Sequence, residues 1–118
     1  MIDPLLRVAR NVHPSGAVVL DVVGELDHFT APELSAALCQ EAFSPDVPVL
    51  VDLSGLQYCD STGMTVFVKV RQTALQRAGR LALVGLSADL ARMFRITGLA
   101  SLFVLASTSD EAVEALRA

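Results

Sequence analysis

Short bursts of apolar residues run along this chain, broken every few positions by Asp, Gly, Ser or Pro. "LLRVARNV" and "AVVLDVVGEL" flank His13-Pro14-Ser15-Gly16, the pattern of a β-hairpin. Thr30-Ala31-Pro32-Glu33 then reads as a capping box with proline in the first turn. The helix it opens carries Leu34, Ala37, Leu38 and Phe43 at helical spacing and is expected to end near Ser44-Pro45. "VPVLVDLSGL" is dense enough in apolar residues for a strand buried on both faces. "RLALVG" predicts another strand, Ser87 to Ile96 a short helix capped by Ser87 and closed by Thr97-Gly98, and "LFVL" a last strand. Thr108-Ser109-Asp110-Glu111 is a second capping box, opening a terminal helix through Leu116.

One segment is ambiguous. In "YCDSTGMTVFVKV", residues 58–70, the β-branched Thr65, Val66, Val68 and Val70 favour a strand by local propensity. As a strand it would pair with "VLVDL" across "SGLQYCDSTG", a long connection for a hairpin. The continuation decides for a helix: "VRQTALQRAG" adds two more turns of helix formers and stops at Gly79. Met64, Phe67, Val68, Arg71, Leu75 and Ala78 then share one face, with Thr62, Thr65, Lys69, Gln72 and Gln76 opposite. Three βαβ crossovers follow, and the expected fold is α/β, a mixed, mostly parallel sheet with an N-terminal β-hairpin and about four helices.

A length of 118 residues suits one domain over 1–118, with no repeats. Apolar residues make up 53 % and charged residues 19 %, so the chain is core-rich. The interrupted apolar stretches leave no segment fit to span a bilayer, and no basic N-region precedes one, so neither a membrane span nor an export signal is expected. A cytoplasmic protein is the expectation. Thirteen acidic against nine basic residues give a net charge of −4, which repels phosphate backbones and argues against nucleic acid as a partner. A protein partner or small ligand fits better, and an apolar-rich composition leaves a homodimer open. Cys39 and Cys59 lie far apart without a CxxC or Cys/His cluster, the pattern of buried reduced thiols rather than a metal or redox site.

If residues 61–78 are helical, Asp60 is the N-cap and Ser61, Thr62 and Gly63 form the first turn. Their N–H groups lack intrahelical acceptors and lie just past a strand's carboxyl end, where open α/β sheets bind ligands. Such a start can hold a phosphate or expose a hydroxyl, and Gly63 would leave room for an approaching partner. It can equally be a plain cap, since these are abundant. No Walker A lysine follows Gly63, and Gly-x-Ser-x-Gly is missing. Ser61 as an enzymatic nucleophile would need a base, and His13 and His28 come without a supporting motif. Asp60, Asp52, Asp27 and Glu25 could be an acid cluster for a divalent cation, but Asp52 and Asp60 read better as turn and cap residues. No catalytic residue, metal or cofactor is therefore expected.

"GELDHFTAPEL", "VLVDLSGLQYCDSTG" and "ITGLASLF" together resemble the STAS domain, specifically the anti-sigma-factor antagonist family. The likeness spans roughly Leu5 to Leu116, and single-domain length fits the stand-alone antagonists. The resemblance implies that Ser61 is a phosphoacceptor and that the partner is an anti-sigma factor that is also a serine kinase. Unphosphorylated antagonist would bind that kinase and free the sigma factor; phosphorylation would break the complex, and a serine phosphatase would reset it. It also implies a partner surface made of Glu25, Asp27, His28 and Thr30 with Asp60, Thr62, Gly63, Met64 and Thr65. Family members often carry Leu-Gly where this chain has Met64-Thr65, a departure that would alter partner fit. The competing reading is a STAS scaffold or adaptor that binds a nucleotide or phosphate ligand, or a subunit of a larger assembly.

Overall fold

The computed structural model describes residues 5–41 and 43–117, the Cys39 side chain excepted. The expected hairpin is formed by β1 (Leu6–Val12) and β2 (Val18–Leu26), paired antiparallel with Leu6 opposite Gly24 and Val12 opposite Val18. Gly16, at φ +95°, lets the turn close through hydrogen bonds between His13 and both Gly16 and Ala17. β2 then pairs parallel with β3 (Val49–Cys59), β3 with β4 (Leu81–Val84), and β4 with β5 (Val104–Ala106), so spatial order equals chain order.

Helices α1 (Ala31–Cys39), α2 (Ser61–Gln76) and α3 (Ala88–Ile96) connect these parallel strands. Crossovers of this kind are right-handed almost without exception, so three that step the same way put their helices on the same face. Their apolar sides accordingly share one core with the inward residues of the sheet, among them Val22, Val51, Leu53 and Leu83. α4 (Ser109–Arg117) follows the last strand and is free of that rule. It covers the other face, with Ala112, Val113 and Leu116 against Val19, Leu50, Ala82 and Val84. β3, in the middle, is buried on both faces as its composition predicts.

Asp60 caps α2 and Ser87 caps α3 through their side-chain oxygens, which accept from Gly63 N–H at 3.0 Å and Leu90 N–H at 3.1 Å. Thr108 likewise accepts from Glu111 N–H, while the Glu111 carboxylate reaches back to Ser107 N–H.

Four expectations need correction. Thr30 does not cap α1 with its side chain, because its own backbone is already α-helical and its hydroxyl turns back to donate to the Glu25 carbonyl at 2.8 Å. α1 ends at Cys39, and Phe43 joins the core from the loop beyond it, packed over Gly79. The buried stripe of α2 is Gly63, Met64, Val66, Phe67, Val70 and Ala74, whereas Leu75 and Ala78 are exposed. The last strand is shorter than "LFVL", since residues Leu99–Leu102 form a 3-10 turn and only Val104–Ala106 pair with β4.

The α2–α3 side of the core is held by a chain of rings, with Phe67 and Phe94 centroids 6.0 Å apart and Phe94 and Phe103 5.9 Å apart. Phe94 is fully buried between the other two. Phe94→Ala should therefore lower unfolding free energy by about 3–5 kcal/mol, read from the denaturant midpoint at unchanged slope. A loss below about 1 kcal/mol would mean that α3 collapses into the space and that this core is not close-packed.

Candidate functional site

β3 is longer than its apolar run suggests, and its last residues pass β4, which ends opposite Asp52. From Gly55 onward only β2 accompanies it, with register shifts between Asp21 and Val23 and between Gly24 and Glu25. Irregularities of this kind bend and twist a strand pair, and past Gly24, where the pairing with β1 stops, β2 and β3 run on as a short two-stranded tongue of Glu25–Leu26 beside Tyr58–Cys59. At its tip Leu26 pairs with Cys59, and Asp60 N–H donates to the Leu26 carbonyl at 3.2 Å. The loop after β2 and the start of α2 are thus neighbours, and Asp27 and Ser61 belong to one face.

The 27–30 loop is rigid by its own bonds. Asp27 Oδ1 accepts from Phe29 N–H at 2.8 Å and Thr30 N–H at 3.0 Å, and Asp27 N–H donates to Thr30 Oγ1 at 2.9 Å. The Thr30 N–H bond is the main reason the Asp27 carboxyl is held below its ordinary range; partial burial opposes it, and the Phe29 and Thr30 bonds reinforce it. At the other half of the site, extended backbone at Asp60 (φ −97°, ψ −175°) turns the chain into α2. Ser61 is exposed in the first turn, and Thr65 donates its hydroxyl to the Ser61 carbonyl at 3.0 Å.

Burial sorts the residues expected on a partner surface. Glu25, His28, Ser61 and Thr65 are exposed, and Asp27, Asp60 and Thr62 are half-buried. Thr30 and Met64 are buried, so neither offers contact area. Gly63 is buried as well, and the idea that it leaves room for a partner is reversed. A Cβ there would lie 2.6 Å from Leu26 Cγ and 2.9 Å from Cys59 Sγ, so the missing side chain admits the tongue, not a visitor. His13 lies elsewhere, in the β1–β2 turn, bonded to Asp110 at 2.6 Å. His28 stacks edge-on against Phe29, and no hydrogen bond among the described residues links either histidine to Ser61.

Two surface aromatics were not anticipated. Phe29 is 83 % exposed between His28 and Thr30, and Tyr58 is 53 % exposed on the tongue. An aromatic inside a loop already suspected of binding was the available signal for Phe29. Tyr58 could have been found only by knowing that β3 continues so far.

Cys59 is buried, and that burial, with a smaller contribution from the Asp60 charge, pushes its thiol from 9.0 up to about 12. The Cys39 side chain lies outside the described residues. No helix among the described residues is long and apolar enough to cross a membrane.

Comparison with known proteins bears on this arrangement. The family model described as the STAS domain matches residues 8–112. The anti-sigma-B factor antagonist of Listeria monocytogenes is 38 % identical over 90 residues, covering 76 % of this chain and 79 % of that protein. Its namesake in Staphylococcus aureus is 37 % identical over 81 residues, covering 69 % and 75 % respectively. The crystal structure of an anti-sigma factor antagonist from Mycobacterium paratuberculosis superposes with a TM-score of 0.84 at 26 % identity, covering 96 % of this chain and 95 % of that one.

The site geometry has two measurable consequences. Gly63→Ala should cost about 1–3 kcal/mol, because the added methyl meets Leu26 and Cys59 within the tongue, whereas Ser61→Ala should stay within about 0.5 kcal/mol of the parent. Equal stabilities for the two variants would refute the close approach at Gly63. Cys59 should resist alkylation at pH 8 in the folded protein and react once denaturant is added. Because the folded state keeps this proton while the unfolded chain loses it, the Cys59 contribution should make stability fall as pH rises from about 9 towards 12. Thiol-resolved mass spectrometry and alkaline unfolding curves check both statements.

Proposed function

This chain belongs to the STAS-domain family of anti-sigma-factor antagonists, and we propose that it works by docking its Asp27–Ser61 face on an anti-sigma factor that is also a serine kinase. Docking frees the sigma factor, and phosphorylation of Ser61 ends it. The observation that carries this reading is the exposed Ser61 hydroxyl at the start of α2, held beside the Asp27 loop by the Leu26–Cys59 pairing. A kinase needs a hydroxyl it can reach, and this one stands on a fixed element next to a rigid loop. Thr65, exposed one turn further along, is where this chain presents a hydroxyl in place of the glycine common in the family.

The chain is then a binder and a substrate, with no catalytic residue and no cofactor of its own. Its place is the cytoplasm, with a serine phosphatase to restore the hydroxyl. A phosphoryl group on Ser61 adds about −1.5 to −2 charges next to Asp60. The first-turn N–H groups of α2 tolerate an anion, so the fold survives while the docking face changes sign of preference. The reading of this helix start as a nucleotide site is weaker, since Asp27, Glu25 and Asp60 already make the neighbourhood acidic.

Incubation with ATP and the anti-sigma kinases encoded in the same genome should add one phosphoryl mass, mapped to Ser61 and abolished by Ser61→Ala. Label retained in that variant would move the site to Thr62 or elsewhere. Ser61→Asp should bind the kinase at least tenfold more weakly than the parent, about 1.4 kcal/mol, while Ser61→Ala binds persistently. Salt should recover part of the Ser61→Asp loss, because screening acts over about 8 Å at physiological strength. Tight binding by a folded Ser61→Asp protein would remove the charge switch.

Asp27 calls for a finer substitution than alanine. Its Oδ1 holds the loop together, so Asp27→Ala should cost stability of order 1 kcal/mol as a lost cap does, whereas Asp27→Asn retains an acceptor and removes the charge. Kinase affinity should fall in both variants, and the melting temperature clearly only in Asp27→Ala. Undiminished affinity in Asp27→Asn would show that the loop serves the fold and not the partner.

A further inference from the structure

A cavity of about 380 Å³ opens between the end of β3 and the start of α3, immediately beside the phosphoacceptor turn. Leu56, Cys59 and Leu90 are its buried apolar residues, and Met93 is half-buried. Asp60, Asp89 and Tyr58 supply its more exposed polar lining. No lysine, arginine or histidine lines it, and neither Asp60 nor Asp89 has an ion-pair partner among the described residues. We propose that this cavity receives an arginine side chain from the kinase that docks on the Asp27–Ser61 face. The proposal rests on the function argued above and names the chemistry of its partner.

The lining selects the occupant. Buried carbon beneath and two carboxylates that lack an ion-pair partner, Asp60 keeping one oxygen on the Gly63 N–H, suit a long apolar stem that ends in a cation. A guanidinium is more weakly hydrated than an ammonium, stacks on an aromatic such as Tyr58, and forks towards carboxylates. An anion is the alternative that the start of α3 would invite. That start is already satisfied, because Ser87 Oγ takes the Leu90 N–H and Asp89 places a negative charge in the same turn. The volume lies near the lower end of the range for ligand pockets, about 300–1,000 Å³, which suits one side chain better than a nucleotide. Position favours the same occupant, for Asp60 lines the cavity and directly precedes Ser61. An arginine seated there would anchor the kinase within a residue of the hydroxyl it modifies.

The test has two arms. In the first, the full chain is titrated with N-acetyl-arginine methylamide and with its citrulline counterpart, an uncharged near-isostere, while the methyl signals of Leu56, Leu90 and Met93 are followed by NMR. Saturable shifts at these methyls with the arginine compound are expected, at least tenfold weaker with citrulline and with the Asp89→Asn variant. Equal response to the two compounds, or none at these methyls, overturns the proposal. In the second arm, Asp89→Lys should weaken the complex with the kinase that labels Ser61 by at least tenfold, and Asp89→Asn by less. A labelled chain whose Asp89→Lys variant binds as tightly as the parent overturns the cavity proposal and leaves the phosphorylation reading standing. Failure of every candidate kinase to label Ser61 overturns that reading and this proposal with it.

Discussion

The contact on which this structure depends is the one between the first turn of α2 and the tip of the β2–β3 tongue. Gly63 sits directly on the Leu26 side chain and Cys59 Sγ, at distances no Cβ could tolerate. Around that contact the backbone ties itself together, Leu26 to Cys59 by strand pairing and Asp60 to Leu26 by a hydrogen bond. The turn is pressed inward at Gly63 while Ser61, two residues earlier, is exposed, and the Asp27 loop leaves from Leu26 beside the same turn. The candidate face, made from two distant stretches of chain, is thus the outer surface of one packing contact. Its precision comes from beneath: the face is carried by a strand end and a helix start, not by a free loop.

The rigidity of that face matters for binding. Association loses affinity for every loop and side chain that must be ordered at the interface. Here the 27–30 loop spends its polar groups on itself, through Asp27 Oδ1 and the Thr30 hydroxyl, and is ordered before any partner arrives. The same internal bonds explain why Thr30 is absent from the surface although it belongs to the motif. They also hold Phe29 out in solvent, an arrangement that contributes little to the fold and leaves a large apolar ring available to a partner.

Features written in a few consecutive residues were legible in the sequence. Asp60, Ser87 and Thr108 cap their helices as their types predict, since each cap needs only a side-chain oxygen and an N–H three residues on. The order of strands and helices, and hence the mostly parallel sheet, followed from where these caps and the apolar runs fall. What failed depended on contacts across the chain. Thr30 looks like a cap until its hydroxyl is found turned back to the Glu25 carbonyl. The face of α2 was read from an even helical arc, but its buried stripe passes through Val66 and Val70, leaving Leu75 in solvent. The strand read as "VPVLVDLSGL" runs on to Cys59, since beyond Asp52 the pairing with β2 continues through a register shift and Gly55 lets Val23 approach. The purpose of Gly63 could not be seen without knowing what lies under it.

If an acidic face is to attract a basic partner and still be switched off by more negative charge, as proposed, the two tendencies have to act at different places. On the proposal made above, the cavity bounded by Asp60 and Asp89 would be where attraction operates, on a cation held by apolar contact as well as charge. Repulsion would arise at Ser61 on the proposed function, because a hydroxyl that receives a phosphoryl group has to lie against the nucleotide that donates it. After such a transfer a phosphoserine and the remaining nucleotide phosphates would confront each other at close range. Two unit charges about 4 Å apart at an effective dielectric near 20 repel by about 4 kcal/mol, and a tenfold loss of affinity needs only about 1.4 kcal/mol. The modification therefore works best at a residue whose fold is indifferent to charge and whose partner is not. A capped helix start over a packed glycine meets the first of these conditions.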